Sequence, residues 1–392
     1  MSNHQRAAYF SPLPPQHTGI ADYSLELLLH LAKRIDLTLY AEDPGNVTAE
    51  LTRSFRIQPI DAYPHQRWEY DLAIYQMGNS PFHEKIYSMA LRYPGMVVLH
   101  DYFLHHLIVG NTVAKGNNAN YMREMGYALG LRGLRWAKEI TEQGIPYPVF
   151  EVPLNNRLID ASLGLVVHSR YVQEHIRKQN QFIPIVVSPQ PVAVSTMEHT
   201  QRHLLPWPRE AVIFASIGQI TPTKQVDQAL RAFARLRKTE LNAYYLVVGE
   251  WNKEQYNLQA IIRELGLESV VKCTGFVDKL EDLQRWIASG DVIVNLRYPT
   301  MGETSAVALR TLAAGRALIV NDHGWYSELP DSVCCKVPVQ DDEALYQVMH
   351  RLALDPVLRH NYGEQAIAYI AKEHTADRVV ECYLELVNRL LG

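Results

Sequence analysis

The sequence predicts an α/β protein made of two doubly wound domains in tandem. In each half of its 392 residues, short apolar segments with strand character alternate with longer segments of helical periodicity. This alternation is typical of parallel strands covered by helices, and the length suffices for two hydrophobic cores. Between the halves, residues 188–210 contain four prolines and no periodic pattern, so we expect a linker there.

The first half contains five predicted strands. They are expected at 7–10, 37–40, 72–75, 96–99 and 163–167, with the clearest helices at 20–34 and 171–178. A long connection over residues 102–150 lies between the last two strands, and it contains a polar loop and a helical pattern at 121–142. Because long connections in compact domains are usually functional or mobile, we expect this segment to have a role in binding.

The second half repeats the pattern with another parallel sheet. Its strands are expected at 212–217, 244–248, 270–273, 292–296 and 317–320, and its helices at 226–238, 258–265 and 279–289. After the strand at 292–296, Pro299 and Gly302 predict a turn. Thr304 or Ser305 then caps a further helix, residues 306–314. In a doubly wound sheet, ligands bind at the carboxyl ends of the strands.

Composition and charge exclude several classes of protein. The net charge is −4 and neither half is basic, which argues against nucleic acid as a partner. No apolar run approaches the roughly 20 residues that span a bilayer, and the first ten residues lack the apolar core of a signal peptide. The four cysteines have no metal-ligand spacing. We therefore expect a cytoplasmic protein, with at most a place at the inner face of the membrane.

The segment NLRYPTMGETSAVALRTLAAG, residues 295–315, has the features of a ligand-binding loop. It joins a strand to the start of a helix, where unpaired amides and the helix dipole favour phosphate or sugar hydroxyls. Glu303 adds a carboxylate at this point. The segment resembles the donor-sugar loop of glycosyltransferase family 4, in the bacterial type with a GETSA-like sequence. The resemblance implies retaining enzymes with the GT-B fold, in which two Rossmann-like domains face a deep cleft.

Three further segments resemble the same family. SPLPP and TGIADYS, within residues 11–24, are similar to its N-terminal glycine loop and include Gly19. VVLHDYFLHHL, residues 97–107, is similar to the segment whose histidine, here His100, contacts the donor sugar. SIGQITPTKQ, residues 216–225, is similar to the diphosphate-binding segment, with Lys224 six residues after Gly218. The compact ammonium of a lysine suits a diphosphate.

The resemblance assigns roles to individual residues. It implies His100, Lys224 and Glu303 as catalytic residues. The predicted donor-binding residues are Gly19, Gly218, Gln219, Lys224, Glu303, Thr304 and Ser305, which match segments of the family, together with Arg297, which no position of the family motif requires. On the acceptor side it implies Asp22, Tyr23 and Asp101. It implies no cofactor and no metal, although His100, Asp101, His105 and His106 leave a metal cluster as an alternative, disfavoured because adjacent His105 and His106 point to different helix faces.

The chain also departs from the family pattern at three positions. Gln219 replaces the family arginine, so Arg297 is the candidate for a second cation. Glu303 is displaced by one residue from the usual glutamate position. Arg310 occupies the position of the glutamate that binds the ribose, and a guanidinium cannot accept hydrogen bonds from ribose hydroxyls. The mode of ribose binding, the base, the donor sugar, the acceptor, the linkage and the oligomeric state therefore stay open.

The predicted protein is a retaining hexosyltransferase with two domains. Residues 1–195 form the acceptor-side domain, joined by a C-terminal helix at about 375–392, and residues 205–375 form the domain that binds the nucleotide sugar. As the resemblance implies, one long helix at about 362–391 crosses back to the first domain. The expected reaction moves a sugar from a nucleotide diphosphate donor to a hydroxyl of a glycan or lipid-linked acceptor, in surface polysaccharide or glycoconjugate synthesis.

Two alternatives of a different class remain. One is a sugar-nucleotide epimerase of the same fold, and a phosphorylase is disfavoured because no pyridoxal lysine motif is present. The other is a non-catalytic subunit that binds glycan, suggested by Gln219 and Arg310. The segment at 102–150, with Arg132 and Arg135, is expected to border the acceptor and to make at most a weak, local membrane contact, with a solvated helix face as the alternative.

Overall fold

Two separate parallel sheets organise the protein in a computed structural model that describes residues 5–16, 18–195, 200–239 and 241–392. Each sheet belongs to its own unit. The first unit comprises Met1–Pro191, Met301–Thr304 and Ala376–Gly392, and the second comprises Val192–Thr300 and Ser305–Thr375. Within the described residues, no helix is both long and apolar enough to cross a membrane.

The sheet of the first unit has seven strands among the described residues, all paired in parallel. They are β1 (Arg6–Phe10), β2 (Asp36–Ala41), β3 (Arg56–Pro59), β4 (Leu72–Met77), β5 (Met96–Leu99), β6 (Gly164–Val167) and β7 (Ile185–Val187). The helices before the linker are α1 (Gly19–Leu31), α2 (Ala49–Ser54), α3 (Tyr63–Gln66), α4 (Glu84–Arg92), α5 (His105–Asn111), α6 (Asn118–Gln143), α7 (Asn156–Ala161) and α8 (Arg170–Gln179). The spatial order β3-β2-β1-β4-β5-β6-β7 reverses direction between β1 and β4.

The sheet of the second unit has the order β10-β9-β8-β11-β12-β13, also all parallel. Its strands are β8 (Val212–Ile217), β9 (Ala243–Val248), β10 (Val271–Cys273), β11 (Val292–Val294), β12 (Ala317–Asn321) and β13 (Cys335–Val337). Its helices are α9 (Val226–Arg237), α10 (Leu258–Glu264), α11 (Leu280–Ser289), α12 (Ala306–Ala313), α13 (Asp342–Leu354) and α14 (Pro356–Glu373). Strand order reverses between β8 and β11, which is where this kind of sheet binds ligands.

Each sheet has buried apolar side chains on both faces, which explains why the sequences of its strands are nearly continuous hydrophobic runs. In the first unit, Phe10 and Tyr9 lie on opposite faces of β1, and each is fully buried in a different cluster. In the second unit, Phe214 and Ile213 divide in the same way on β8. Strands buried on both faces are expected in parallel sheets covered by helices.

The predicted strands and helices lie where the structure has them, within a few residues at their ends, with two exceptions. The single helix predicted at about 362–391 is wrong, because the backbone of His374 leaves the helical region after Glu373 and α15 (Ala376–Leu391) begins anew. Only α15 belongs to the first unit. Strands β3, β7 and β13 were not among the predicted strands, since β3 is half-exposed and β7 and β13 span three residues each.

Candidate functional site

Two glycines, Gly218 after β8 and Gly249 after β9, lie in close contact at the carboxyl ends of these neighbouring strands. Gly218 and Gly249 have φ angles of +103° and +135°, and the amide of Gly218 donates to the carbonyl of Val248 at 2.9 Å. A Cβ atom on Gly249 would lie 2.0 Å from the carbonyl oxygen of Gly218. Both positions therefore require glycine, and the backbone at the carboxyl ends of β8 and β9 is left open to a ligand.

Lys224 brings its ammonium to this glycine loop. A Cβ atom on Gly218 would lie 3.3 Å from Lys224 Nζ and 3.4 Å from Val307 in the first turn of α12. Burial of the ammonium and the nearby charge of Arg297 lower the pKa of Lys224 to about 7. An anion beside the two cations would favour the charged form of Lys224, because it would offset both effects.

Arg297 is held next to this loop by its backbone. Its amide donates to the side-chain oxygen of Asn321 at 2.7 Å, and the next amide, of Tyr298, donates to the carbonyl of Thr223 at 2.8 Å. The predicted second cation is thus close enough to Lys224 to perturb the pKa of that ammonium. Two neighbouring cations are suited to a ligand with more than one negative charge.

The N-terminus of α12 is capped by Ser305, one of the two predicted capping residues. Its hydroxyl accepts from the amide of Ala308 at 3.2 Å and from the side-chain nitrogen of Asn295 at 2.9 Å. The side chain of Ser305 is therefore engaged within the protein, and its backbone is what remains for a ligand. Thr304 is also buried, and its hydroxyl has no hydrogen bond within the described part of the chain.

Met301–Thr304 belongs to the first unit, where the backbone amides of Tyr102 and Phe103 donate to the carbonyl of Met301 at 2.9 and 3.0 Å. Gly302 has a φ of +80°, and a Cβ atom there would lie 2.5 Å from that of Tyr102. The half-buried Glu303 accepts from the amide of Met301 at 2.7 Å. Its carboxylate therefore stabilises the turn in addition to any contact with a sugar.

His100 immediately follows β5 and lies in a buried group of polar and aromatic side chains. Its Nε2 is 2.8 Å from the side-chain oxygen of Gln76, and its ring lies edge-on to Tyr23 with centroids 4.7 Å apart. Burial, His168 and His83 hold the pKa of His100 well below its usual value. The imidazole is therefore neutral at pH 7, and it can donate one hydrogen bond and accept another.

The other residues predicted in the first unit surround the start of α1. Gly19 is the first residue of α1, Thr18 caps that helix, and a Cβ atom on Gly19 would meet no atom within 4 Å. Asp22 lies in the first turn, whereas the hydroxyl of Tyr23 points inward to Tyr383 at 2.8 Å. Gly19 is thus the most open of these positions, and Tyr23 is mainly a buried neighbour of His100.

The histidines considered as a metal cluster have separate surroundings. His105 is fully buried, and its ring nitrogens bond the carbonyl of Val152 at 2.8 Å and the hydroxyl of Tyr121 at 3.0 Å, whereas His106 is exposed. Asp101 accepts from the amide of Asn79 at 2.8 Å. The described ranges contain no group of three or more side chains placed to hold a metal ion.

A cavity of about 340 Å³ lies beside the glycine loop and was not predicted. It is lined by Gln219, Ile220, Thr221, Pro222, Glu250, Trp251, Asn252, Gln255 and Tyr256. Trp251 Nε1 is buried and has no hydrogen-bond partner among the described residues. One feature of the sequence could have indicated this cavity. Glu250 and Trp251 directly follow β9, which neighbours β8 in the sheet.

Two asparagines that hold the segment from Arg297 to Ser305 were also not predicted. Asn295 and Asn321 follow the buried apolar residues of two neighbouring strands and hold Ser305 and Arg297 respectively. A polar residue that directly follows an apolar strand was the signal in the sequence. Arg310 is buried on α12, and its guanidinium can donate hydrogen bonds but cannot accept them.

A family of known proteins matches a large part of the second unit. Residues 211–355 match the family model described as glycosyl transferases group 1. This range contains the glycine loop, Lys224, Arg297 and α12, which are the features described above. No curated protein sequence matches the chain.

Solved structures resemble the chain over nearly its whole length. Sucrose-phosphate synthase from Thermosynechococcus elongatus has 15% identity and a TM-score of 0.71, with 99% of each chain covered. HepE from Anabaena in complex with UDP has 13% identity and a TM-score of 0.69, with 98% of this chain and 100% of that chain covered. WaaG, a glycosyltransferase involved in lipopolysaccharide biosynthesis, has 14% identity and a TM-score of 0.58, with 98% and 100% covered.

These likenesses confirm the predicted GT-B fold, because the two parallel α/β units match glycosyltransferase structures end to end. Sequence identities of 13–15% establish similarity of fold alone. The family match over residues 211–355 adds the chemical class, so the chain is a glycosyltransferase.

Proposed function

We propose that this glycosyltransferase moves a sugar from a nucleoside diphosphate donor to the hydroxyl of a glycan or lipid-linked acceptor, with retention at the anomeric carbon. The observation that carries the proposal is the paired charge of Lys224 and Arg297 beside the glycine loop, within the range that matches glycosyl transferases group 1. HepE, a structural neighbour, has been solved with UDP and with UDP-glucose.

The donor diphosphate would place negative charge next to the two cations. As the bond to the sugar breaks, charge builds up on the leaving phosphate, and Lys224 with the amides of α12 would stabilise it. In this account the cations do the work that a divalent metal performs in other glycosyltransferases. The proposal therefore includes activity without added metal.

The nucleobase would occupy the cavity of about 340 Å³ beside this loop. The side chains of Asn252 and Gln255 line this cavity and offer both donors and acceptors. Residues that line this cavity would then replace the missing ribose glutamate in holding the nucleoside. In this arrangement the nucleotide would bind although position 310 is an arginine.

His100 and Glu303 would act on the transferred sugar, as the family resemblance implies. The neutral imidazole of His100 would exchange hydrogen bonds with a sugar hydroxyl. In retaining enzymes of this family type, transfer takes place on one face of the sugar, and the leaving phosphate takes the acceptor proton. No pair of carboxylates is required for that mechanism, in contrast to glycoside hydrolysis.

The acceptor would bind near the groove on α6, in the first unit. This groove is lined by Leu131, Arg132, Arg135, Trp136 and Glu139. Leu131 is 74% exposed and Tyr127 is 52% exposed, close to a break in the helix at Gly130. Apolar and cationic side chains on one exposed segment suit a lipid-linked or anionic acceptor, and they allow a weak contact with the inner membrane surface.

The experiment that tests this function is a thermal-shift panel of nucleoside diphosphates, followed by assays with the matching nucleotide sugars. We expect one base to raise the melting temperature at millimolar ligand, because a ligand that binds only the folded state stabilises it. The same base should support release of nucleoside diphosphate together with a longer glycan. Binding without either product would favour a non-catalytic glycan-binding subunit, and a donor converted without any acceptor would favour an epimerase.

A further inference from the structure

A chain of buried hydrogen bonds connects His100 to the C-terminal helix. His100 Nε2 lies 2.8 Å from Gln76 Oε1, and Gln76 Nε2 donates to the hydroxyl of Tyr383 at 3.1 Å. The hydroxyl of Tyr383 lies 2.8 Å from that of Tyr23. Gln76 and Tyr383 are fully buried, on β4 and α15 of the same unit. The last helix of the chain therefore contributes directly to the surroundings of His100.

The carboxamide of Gln76 has an accepting end and a donating end. Because its nitrogen donates to Tyr383, its oxygen faces His100 and can only accept. The hydrogen on the neutral imidazole must then be on Nε2, which leaves Nδ1 as an acceptor. His100 Nδ1 has no hydrogen bond within the described part of the chain. A carboxamide turned by half a rotation would instead donate to His100 and leave the hydrogen on Nδ1.

We infer that Gln76 and Tyr383 are positioning residues that hold His100 as the Nε2-protonated tautomer, so that Nδ1 accepts a hydrogen bond from a hydroxyl of the donor sugar. This inference rests on the proposed function for the identity of that hydroxyl. The tautomer itself depends only on the first unit. Neither Gln76 nor Tyr383 was singled out from the sequence.

The groups around His100 agree with a neutral ring. Burial has the largest effect, and His168 and His83 also lower the pKa of His100. Tyr23 packs against the ring from α1, while burial keeps the pKa of both Tyr23 and Tyr383 well above the usual value, so no phenolate is present. A positive charge on His100 is thus disfavoured, and the direction of the Gln76 carboxamide decides which ring nitrogen donates.

Long-range ¹H–¹⁵N correlation spectra of the ¹⁵N-histidine-labelled protein test the inference without any substrate. The His100→Gln variant identifies the His100 signals by their loss. We expect an Nε2-protonated pattern at pH 7, and an Nδ1-protonated His100 would overturn the inference. If no donor or acceptor is found, this spectrum still decides the question, so it is independent of the proposed function.

Single substitutions distinguish residues that orient His100 from residues that only pack nearby. Tyr383→Phe should shift the His100 signals or mix the two tautomers, whereas Tyr9→Phe is the matched control, because Tyr9 is equally buried but its hydroxyl bonds Ser24 at 3.0 Å. Gln76→Glu places an acceptor of full negative charge at Nε2, so it should raise the pKa of His100 in an NMR titration and displace the pH profile of kcat.

For Gln76→Leu we expect a loss of kcat of roughly tenfold, the size of one hydrogen bond, with little change in the KM for donor. His100 signals that are the same in Tyr383→Phe and Gln76→Glu as in the wild type would overturn the positioning role. The same result follows if Tyr9→Phe and Tyr383→Phe change the spectrum equally.

Discussion

Lys224 and Arg297 are neighbouring cations in the second unit, where burial of the ammonium and the nearby charge of Arg297 lower the pKa of Lys224 to about 7. Both effects disfavour the charged form of Lys224, so the free ammonium loses its proton near neutral pH. In the complex, we propose that the donor diphosphate offsets both effects and keeps Lys224 charged. This difference between the two states leads to the first two predictions.

The substitution Lys224→Ala should weaken nucleoside diphosphate binding and transfer together. A charge-assisted hydrogen bond contributes about 1.5–3 kcal/mol, so we expect a loss of roughly tenfold to a hundredfold or more in kcat/KM. Lys238→Ala is the control, because Lys238 is an exposed lysine at the end of α9. Steady-state kinetics and calorimetry on the purified variants check the prediction. Wild-type kinetics in a folded Lys224→Ala protein would remove Lys224 from the donor site.

Binding of a nucleotide sugar should take up a proton above pH 7. The free Lys224 is mostly neutral above its lowered pKa of about 7, and the bound diphosphate favours the charged form. Affinity should therefore rise as the pH falls from about 9 to 7 and level off below about 6. A nucleotide sugar is the right ligand, because its diphosphate does not itself titrate in this range.

Calorimetry at pH 8 in two buffers of different ionisation enthalpy measures this proton directly. We expect an uptake approaching one proton per molecule bound, which should disappear in Lys224→Met. Equal heats in both buffers for the wild type would mean that Lys224 does not change protonation when the donor binds.

The contact between the two glycines should tolerate no side chain. In Gly249→Ala, the added Cβ would meet the carbonyl oxygen of Gly218 at 2.0 Å, and the φ of +135° is itself unfavourable for alanine. We expect a loss of about 1–3 kcal/mol in the free energy of unfolding, together with weaker nucleotide binding. Gly110→Ala is the control, since a Cβ there would meet no atom within 4 Å. Urea denaturation of both variants gives the comparison, and equal stability would contradict the geometry of the loop.

The groove on α6 should affect the acceptor and not the donor. Replacing Arg132 and Arg135 together by alanine removes two cations from that surface, so the KM for an anionic or lipid-linked acceptor should rise several-fold. The control removes Lys33 and Arg34, two exposed cations elsewhere in the first unit. An unchanged acceptor KM, or a rise in the donor KM alone, would show that α6 is a solvated surface.

The sequence predicted the sheets well, because strands buried on both faces leave a strong hydrophobic signal, as in β1 and β8. Lys224 was predicted to bind the donor because it lies six residues after Gly218, and Arg297 was a candidate for a second cation without a motif position; both roles stay predictions. The sequence did not predict Trp251 or Gln76, whose importance depends on the order of strands in the sheet and on partners far away in the chain, such as Tyr383. A hydrogen bond between residues 307 positions apart has no local signature.

The break between α14 and α15 shows a similar limit. Residues 362–391 were predicted as one helix, yet His374 leaves helical geometry; it is buried, and its carbonyl accepts from the distant amide of Val192 at 3.0 Å. Nothing in the sequence indicated that the loop passes from the first unit to the second between Thr304 and Ser305. The assignment depends on hydrogen bonds from the amides of Tyr102 and Phe103 to the carbonyl of Met301.

The measurement that tests the central claim most directly is the stereochemistry of transfer with the nucleotide sugar selected by the thermal-shift panel. Purified enzyme, donor and acceptor are followed by ¹H NMR, which resolves the anomeric protons of donor and product while nucleoside diphosphate is released. We expect one nucleoside diphosphate per sugar transferred, and a product with the same anomeric configuration as the donor. An inverted product would contradict the retaining mechanism, and the absence of any transfer with a donor that binds would contradict the proposed function.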